Sequence, residues 1–184
     1  MDYSIIGIIG VIVILVIWFI VSYNGFVKLK TNVEEGFSTM DVYLKKRFDL
    51  IPNIVESVKG YAKHEEETLA NVISARNSIN SANSINSKIS AENMLTDAIG
   101  KLFALAEAYP DLKANQNFLH LQDTLNQTEL EIANSRKYYN AVVATFNKKC
   151  GMFPSVLVAK LFGFKEFNMF ETNQASRENV KVSF

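Results

Sequence analysis

Few residues of this chain combine the type and the spacing that catalysis or metal binding requires. His64 is followed by Glu65, Glu66 and Glu67, which is similar to part of a zinc-binding helix. Such a helix places a second histidine four residues after the first, so that both reach one ion, but Thr68 stands at that position. We therefore predict no metal site here, and no other cofactor site in the chain.

Two carboxylates flank a proline corner. Glu107 and Asp111 lie on either side of Tyr109-Pro110, and paired carboxylates can act as general acid and base. Helix-end and turn roles explain them equally well, because carboxylates favour both places. We favour the structural role and predict no catalytic residues. The alternative is a hydrolase, or an obligate cofactor of a membrane protease, that uses Glu107, Asp111 and His64.

Basic residues form one run of three, Lys45-Lys46-Arg47. Asp41 and Asp49 lie close enough along a helix to pair with them, so we interpret the run as a solvated helix face rather than a binding patch. The chain has 19 Lys and Arg residues and 19 Asp and Glu residues, which leaves no net charge to attract a polyanion. We predict no nucleic-acid binding.

The single cysteine is Cys150. One thiol excludes an internal disulfide framework and any site built from several cysteines. Its neighbours continue an apolar helical pattern, and free cysteines are among the most buried residue types. The sequence therefore predicts a buried, structural thiol.

The N-terminal segment is strongly apolar. No charged residue occurs from Tyr3 to Val27, and fourteen Ile, Val, Leu or Phe residues lie between Ile5 and Val21. They favour bilayer insertion by roughly 6 kcal/mol. A helix from Tyr3 to Tyr23 would rise about 30 Å, the thickness of the hydrocarbon layer. We predict a transmembrane anchor at 1–27 that contacts the lipid bilayer through residues 3–23.

A cleaved signal peptide is the alternative for this segment, but it would need a basic start and a small-residue cleavage site, which are absent. Orientation follows from the flanking charges. Lys28 and Lys30 lie just after the span and no basic residue precedes it, so the positive-inside rule places the bulk of the chain on the cytoplasmic side of the cell (inner) membrane.

Apolar residues at helical spacing predict an all-α body. Pro52 should kink the first helix or make it restart near 50–53, with Asp49 capping the new turn, and a second helix should follow from Ile54 and fade by Ala82. The first apolar stripe comprises Leu29, Val33, Phe37, Met40, Leu44, Phe48 and Ile51.

An Asn-Ser repeat between Asn77 and Ser90 predicts a polar loop, because both side chains compete for backbone hydrogen bonds. Ser90 should then cap a third helix, with Glu92 in its first turn, that ends near Tyr109-Pro110. Asn115 is a candidate cap for the next helix.

The longest predicted helix begins near Phe118 and ends at Gly151 and Pro154. Its stripe is Phe118, Leu121, Leu125, Thr128, Ile132, Ser135, Tyr139, Val142 and Phe146.

A Phe-rich segment, residues 153–170, follows this helix. It has its own narrow stripe, which could close the end of the bundle or lie in the lipid headgroup region, with Lys160 and Lys165 facing anionic lipid. We favour packing on the bundle. The stripe residues are Phe153, Leu157, Leu161 and Phe164.

Several longer strings resemble the LemA family of bacterial membrane proteins. The similarity extends in order from Tyr23 to Glu171, and its departures are Gly36-Phe37 and Cys150. The strings that carry it are Leu50-Ile51-Pro52-Asn53-Ile54-Val55-Glu56, Glu107-Ala108-Tyr109-Pro110-Asp111-Leu112-Lys113-Ala114-Asn115, and Phe162-Gly163-Phe164.

This resemblance implies a single transmembrane helix followed by an antiparallel bundle of long helices, with no established enzymatic activity, catalytic residue or cofactor. It also implies a protein partner, with a membrane protease as the suggested class. We accordingly predict an anchor at 1–27, a helical bundle at 28–171 and a polar tail at 172–184. The predicted function is a non-enzymatic membrane-anchored adaptor or scaffold. The alternatives are a protease cofactor or hydrolase, and a membrane-surface binding protein.

Overall fold

The structure, a computed structural model, describes residues 3–82 and 85–170, so the predicted tail at 172–184 lies outside the described residues. Within those ranges the chain is helical and contains no strand, which confirms the predicted all-α class with an apolar N-terminal helix. The helices are α1 (Tyr3–Lys59), α2 (Glu66–Asn80), α3 (Ile85–Ala106), α4 (Pro110–Lys113), α5 (Gln116–Gly151) and α6 (Ser155–Phe162).

The described residues group into two compact units. The first unit joins residues 3–39 to Lys137–Met169, and the second joins Met40–Arg136 to Phe170. The long helices α1 and α5 contribute residues to both units, whereas α2, α3 and α4 belong to the second and α6 to the first.

The predicted restart at Pro52 is wrong, because α1 continues through it to Lys59. Proline lacks the N–H that would bind the carbonyl of Phe48 four residues earlier. Arg76 of α2 supplies the missing donor, since its Nε donates to the Phe48 carbonyl oxygen at 3.0 Å. Asp49 does not cap a restarted helix; its carboxylate accepts a hydrogen bond from Lys45.

The first break in the helical chain lies at residues 60–65 instead. Gly60 is a poor helix former, less favourable than Ala by about 1 kcal/mol, and it follows the last residue of α1. The backbone N–H of Ala62 still bonds to Val58 at 2.8 Å, and α2 then begins at Glu66. Ile54 and Val55, expected to open the second helix, therefore belong to α1.

The Asn-Ser repeat is largely helical, so the predicted loop at 77–90 is also wrong. Helix α2 runs to Asn80 and α3 begins at Ile85, which places Ser90 inside a helix rather than at its cap. Residues 83 and 84 lie outside the described ranges. Ile79 packs on the hydrophobic core and the Ser78 hydroxyl donates to the Ala75 carbonyl at 2.7 Å, so packing and local bonding override weak propensity.

The corner after α3 is close to its predicted place. Helix α3 ends at Ala106, and Pro110 opens the short helix α4 at a position where its missing N–H has no helical partner to lose. Asn115 then caps α5 as predicted, because its side-chain oxygen accepts the backbone N–H of Phe118 at 3.0 Å.

The core of the second unit is mainly aliphatic and draws on α1 through α5. Leu95, Leu102 and Leu125 are fully buried within it. The polar stripe residue Thr128 is buried there as well, and its hydroxyl donates to the Thr124 carbonyl at 2.7 Å. A hydroxyl side chain can therefore lie in the buried stripe of a helix, because the backbone carbonyl one turn earlier accepts its hydrogen bond.

Aromatic rings dominate the core of the first unit. Phe26 is fully buried, stacks on Phe164 at 4.8 Å between ring centres, and meets the edge of Phe146 at 6.0 Å. Phe146 also contacts Phe167 at 5.0 Å. Gly36 is also buried in the first unit, where a methyl group would lie 3.4 Å from the Tyr138 ring.

Helix α6 ends at Gly163, whose φ of 69° lies in the left-handed region that favours glycine. The N–H of Phe164 bonds back to Ala159 at 2.9 Å, which turns the chain and brings the Phe164 ring to the core. The predicted packing stripe is otherwise wrong. Its other members, Phe153, Leu157 and Leu161, are exposed, and α6 buries Val158 and Ala159 instead.

Candidate functional site

The structure places His64 in the turn between α1 and α2, exposed to solvent and outside any helix. His64 is therefore not on a helix, as a pair of zinc-binding histidines four residues apart would require. Among residues 3–82 and 85–170, no group of three or more His, Cys, Asp or Glu side chains could hold a metal ion. Glu65, beside His64, is half-buried and accepts a hydrogen bond from the Tyr109 hydroxyl at 3.2 Å.

The Glu107–Asp111 corner and the His64 turn thus approach each other through Tyr109. Partial burial and the negative charge of Glu65 raise the pKa of Tyr109 above its ordinary value, so the phenol stays protonated as a donor. Glu107 forms an exposed ion pair with Lys113, and Asp111 is exposed in the first turn of α4. These contacts are structural, because they link the turn at His64 to the corner at Tyr109.

Cys150 lies in the first unit and is buried, as predicted. Burial raises the pKa of its thiol, Glu166 adds to that rise, and the positive charge of Lys149 opposes it. A thiol that resists ionisation is a poor nucleophile, which agrees with a structural role.

The basic run Lys45-Lys46-Arg47 differs from the prediction at one residue, Arg47. Lys45 and Lys46 are exposed, and Lys45 pairs with Asp49, which fits a solvated face. Arg47 contradicts that interpretation, because its side chain is 0% exposed and it is the largest fully buried side chain of the described residues. A charge in such a place needs partners, since removing an ion from water costs several kcal/mol.

Five side chains from three helices form a group hereafter called the arginine cluster: Arg47 of α1, Glu92 and Thr96 of α3, and Glu129 and Arg136 of α5. Arg47 Nη1 donates to both carboxylate oxygens of Glu129 at 2.8 and 3.1 Å, and to the Thr96 hydroxyl at 2.9 Å. Its Nη2 donates to the side chain of Glu92 and, at 3.3 Å, to the Glu92 carbonyl. Glu92 is 1% exposed, so this half of the cluster is shielded from water.

Arg136 of α5 is the fourth charged group in the arginine cluster. Desolvation and the charge of Arg47 lower its pKa, and Glu92 and Glu129 oppose that shift. Two arginines thus face two glutamates, and the formal charges cancel. Arg47 Nε and Arg136 Nε and Nη2 have no hydrogen-bond partner among the described residues, so the bonding of the cluster is incomplete.

The sequence carried a signal for this cluster. Arg47 lies three residues after Leu44 and four before Ile51, which places it on the apolar stripe of α1 rather than on the opposite face. Arg136 likewise lies four residues after Ile132 and three before Tyr139. Charged residues in register with a buried stripe predict buried partners of opposite sign.

The chemistry of the arginine cluster is structural. An arginine stays protonated in proteins and its planar group suits bidentate binding of carboxylates, so Arg47 fixes how α1, α3 and α5 align in the second unit. The cost of removing these charges from water offsets much of their attraction, so the buried ion pairs are weak evidence for net stability.

The fold and these contacts define a class: an all-helical, membrane-associated protein whose apolar N-terminal helix is the one candidate membrane span in the described residues. A model described as LemA family matches residues 36–184, most of the chain. The chain belongs to the LemA family, which confirms the resemblance seen in its motifs.

Individual relatives are similar at low identity. Protein LemA of Metamycoplasma hominis is 24% identical over 161 residues, which cover 87% of this chain and 74% of the relative. Magnetosome protein MamQ 2 of Paramagnetospirillum magneticum is 23% identical over 179 residues, covering 83% of this chain and 66% of the relative. Magnetosome protein MamQ of Magnetospirillum gryphiswaldense is 22% identical with the same coverage.

Proposed function

We propose that this chain is a single-pass, membrane-anchored adaptor of the LemA type without enzymatic activity. Its α1 helix crosses the cell membrane, and its helical body binds a protein partner on the cytoplasmic side. The observation that carries the proposal is the exposure of the α1 segment from Ile5 to Val21, which is apolar around its whole circumference.

A helix that packs on a soluble core buries one apolar stripe and exposes a polar face. Here the Ile, Val and Leu side chains of the segment are each 48–67% exposed, whichever side of the helix they occupy. Soluble proteins rarely expose apolar patches beyond a few hundred Å², so a bilayer is the natural environment for this surface. Packing against protein begins at Trp18 and Phe19, which are half-buried.

The adaptor class is supported by what the candidate catalytic residues do. Glu107 forms an ion pair with Lys113, and Asp111 and His64 are both exposed to solvent. The neighbour of His64, Glu65, bonds to Tyr109 in the link between the two turns. The hydrolase or protease-cofactor alternative would place Glu107, Asp111 and His64 around a metal ion. Metal analysis of the purified full-length protein tests it: stoichiometric zinc or another transition metal would favour that alternative.

Alkaline carbonate extraction tests the anchor. We expect the full-length protein to stay in the membrane pellet, whereas a chain with Ile9, Ile12 and Val16 replaced by Lys should be released. A matched control replaces the exposed residues Val42, Thr39 and Glu35 by Lys and should stay in the pellet. Release of the unmodified chain would refute the transmembrane proposal.

Orientation is tested by cysteine labelling in intact cells, in a Cys150→Ala background. We expect an impermeant maleimide to label Ser4→Cys and to leave Ser176→Cys unlabelled until the cells are lysed. The opposite pattern would place the body outside the cytoplasm.

The partner is tested by in-cell photocrosslinking from exposed sites of the second unit, for example at Met94 and Leu130, which are 56% and 66% exposed. An adaptor should give a discrete crosslinked species at some exposed positions, and none from the buried position Leu125. A membrane protease is the partner class that the family resemblance suggests. Absence of any discrete species across a surface scan would contradict the adaptor proposal.

A further inference from the structure

Helix α6 presents an apolar face that no described residue covers. Phe153, Leu157 and Leu161 recur every four residues and are 79%, 56% and 68% exposed. Lys160 lies three residues after Leu157 and is exposed, and Lys165 is exposed just beyond the helix. One face of α6 is therefore buried on the first unit, and another face is apolar but open.

The position of α6 within the first unit is set by aromatic contacts to α1. The Phe162 ring lies 4.6 Å from the Tyr23 ring and 5.6 Å from the Phe19 ring, measured between centres. Phe164 lies 6.0 Å from Tyr23. The C-terminal end of α6 therefore sits against the last turns of the apolar α1 segment.

The N-terminal end of α6 is held at a similar level along α1. The Ser155 hydroxyl donates to the Lys149 carbonyl at 2.7 Å. The Lys149 ammonium donates to the Ser22 carbonyl at 3.2 Å and lies 4.7 Å from the Phe26 ring centre. The α1 residues in these contacts, Phe19, Ser22, Tyr23 and Phe26, span about 10 Å along the helix axis.

That interval is where the apolar segment ends. Tyr23 lies about 30 Å along the helix from Tyr3, which matches the hydrocarbon thickness, and tyrosine prefers the membrane–water boundary. If α1 spans the bilayer, α6 lies at the headgroup level with its open face available to lipid.

We propose that α6 is an interfacial membrane helix, and that Phe153, Leu157 and Leu161 insert into the headgroup and upper acyl region of the bilayer beside the anchor. The inference rests on the proposed transmembrane span. Lipid is the occupant because α6 packs, through Phe162 and Phe19, against the apolar segment that would lie in the bilayer. Lys160 and Lys165 place positive charge where lipid phosphates lie.

The geometry also explains how so short a helix can bind lipid. Eight residues rise only about 12 Å, too little for stable membrane binding by an independent peptide. Here α6 is already tethered to the anchor, so its contact with lipid is intramolecular and needs no separate recruitment.

The test is fluorescence quenching by lipids brominated on their upper acyl chains, with full-length protein in vesicles. Trp18 is the single tryptophan, so the background is Trp18→Phe. We place one tryptophan at Leu161, within α6; one at Ile12, within the span; and one at Leu130, an equally exposed site in the second unit. We expect Leu161→Trp and Ile12→Trp to lose fluorescence in brominated vesicles, and Leu130→Trp to keep it.

The outcomes separate the two proposals. Quenching at Ile12→Trp without quenching at Leu161→Trp would overturn the interfacial role of α6 and leave the anchor intact. Loss of quenching at both sites would overturn the anchor as well. Quenching by acrylamide, which is dissolved in the water, supplies a further check. If the Leu161→Trp fluorescence is quenched neither by acrylamide nor by brominated lipid, protein covers this face of α6. That result also overturns the proposal.

Discussion

The two units of this protein solve the same packing problem with different side chains. The first unit joins its helices through rings, with Phe26, Phe146 and Phe164 in mutual contact. The second unit uses aliphatic side chains and adds a buried charge, Arg47, with Glu92 as its most enclosed partner. Both strategies occur along the same two long helices, α1 and α5.

The difference concerns how helix alignment is specified. Aromatic rings have directional edge and face preferences, so a ring cluster restricts how helices can slide past one another. Aliphatic side chains have no such directionality, and related packings differ little in energy. We infer that the arginine cluster supplies in the second unit the specificity that ring geometry supplies in the first.

Replacement of Arg47 is the largest expected effect. Arg47→Met should lower the free energy of unfolding by roughly 3–5 kcal/mol, because it leaves Glu92 buried without its cation. The measurement is urea unfolding of the detergent-solubilised full-length protein, followed by circular dichroism. The matched control is Lys46→Met at the exposed neighbouring position, expected within about 0.5 kcal/mol.

A double variant sharpens this prediction. Arg47→Met with Glu92→Met removes one charge of each sign and should recover much of the lost stability, since matched apolar replacements of buried pairs are often neutral. Equal, small effects of Arg47→Met and Lys46→Met would mean that the cluster does not organise the second unit.

Arg76 should give the next largest effect, through the carbonyl that Pro52 leaves unpaired. Arg76→Ala removes the donor to Phe48 and the stacking of the guanidinium 3.7 Å from the Phe48 ring centre. We expect a loss of about 1–3 kcal/mol, the cost of an unsatisfied polar group in a partly buried place. The control is Lys101→Ala, at an exposed site, measured by the same unfolding assay.

The background variant Pro52→Ala tests the mechanism. It restores a backbone N–H that can bond to the Phe48 carbonyl, so Arg76→Ala should cost less in this background than in the natural chain. An unchanged cost would show that Arg76 acts through the ring contact rather than through the carbonyl.

In the first unit, the hydroxyl of Tyr139 should contribute a smaller amount. It is buried and donates to the Asn168 carbonyl at 3.0 Å, and Tyr139→Phe should cost about 0.5–1.5 kcal/mol. Tyr138→Phe is the matched control, because Tyr138 is 51% exposed, and it should change nothing measurable. Equal effects of the two variants would contradict the role of this hydrogen bond.

Alkaline unfolding gives Tyr139 a second readout. Burial raises its pKa above 10.0, so the phenol is neutral in the folded state at pH values where the unfolded chain has ionised. The folded state then binds more protons, and stability falls as the pH rises above that value. Tyr139→Phe should lessen this alkaline loss, whereas Tyr138→Phe should not.

Periodicity predicted the fold well where one helix face is apolar and the stripe is long. The Asn115 cap and most of the α5 stripe follow from spacing and side-chain chemistry alone, although Val143 rather than the predicted Val142 is fully buried. The errors arose where a distant group changes a local preference. Pro52 leaves the Phe48 carbonyl without its helical donor, and the group that replaces that donor, Arg76, lies 28 residues from Phe48.

The arginine cluster was missed for a related reason. A run of basic residues suggests a solvated face, and local charges such as Asp49 do pair with Lys45. The partners of Arg47 lie 45 and 82 residues away, on α3 and α5, so no local pattern reveals them. The position of Arg47 in register with Leu44 and Ile51 was the available clue.

The smallest expected effect concerns the reactivity of Cys150 rather than stability. Its thiol is 8% exposed and its pKa is raised above 9.0, chiefly by burial. Because the thiolate is the nucleophile, alkylation by iodoacetamide at pH 8 should be much slower than at a cysteine on an exposed helix face. Ala133→Cys in a Cys150→Ala background provides that comparison.

Neighbouring charges refine the test. Glu166→Gln removes a charge that raises the pKa of Cys150, so alkylation should reach its half-maximal rate at lower pH than in the natural chain. Lys149→Gln removes the opposing charge and should move the profile to higher pH. Because burial is the leading cause, both variants should still titrate above the exposed Ala133→Cys thiol. A natural chain in which Cys150 reacts as fast as Ala133→Cys would show that the core of the first unit opens readily at the end of α5. The aromatic core would then be less rigid than the arginine cluster of the second unit.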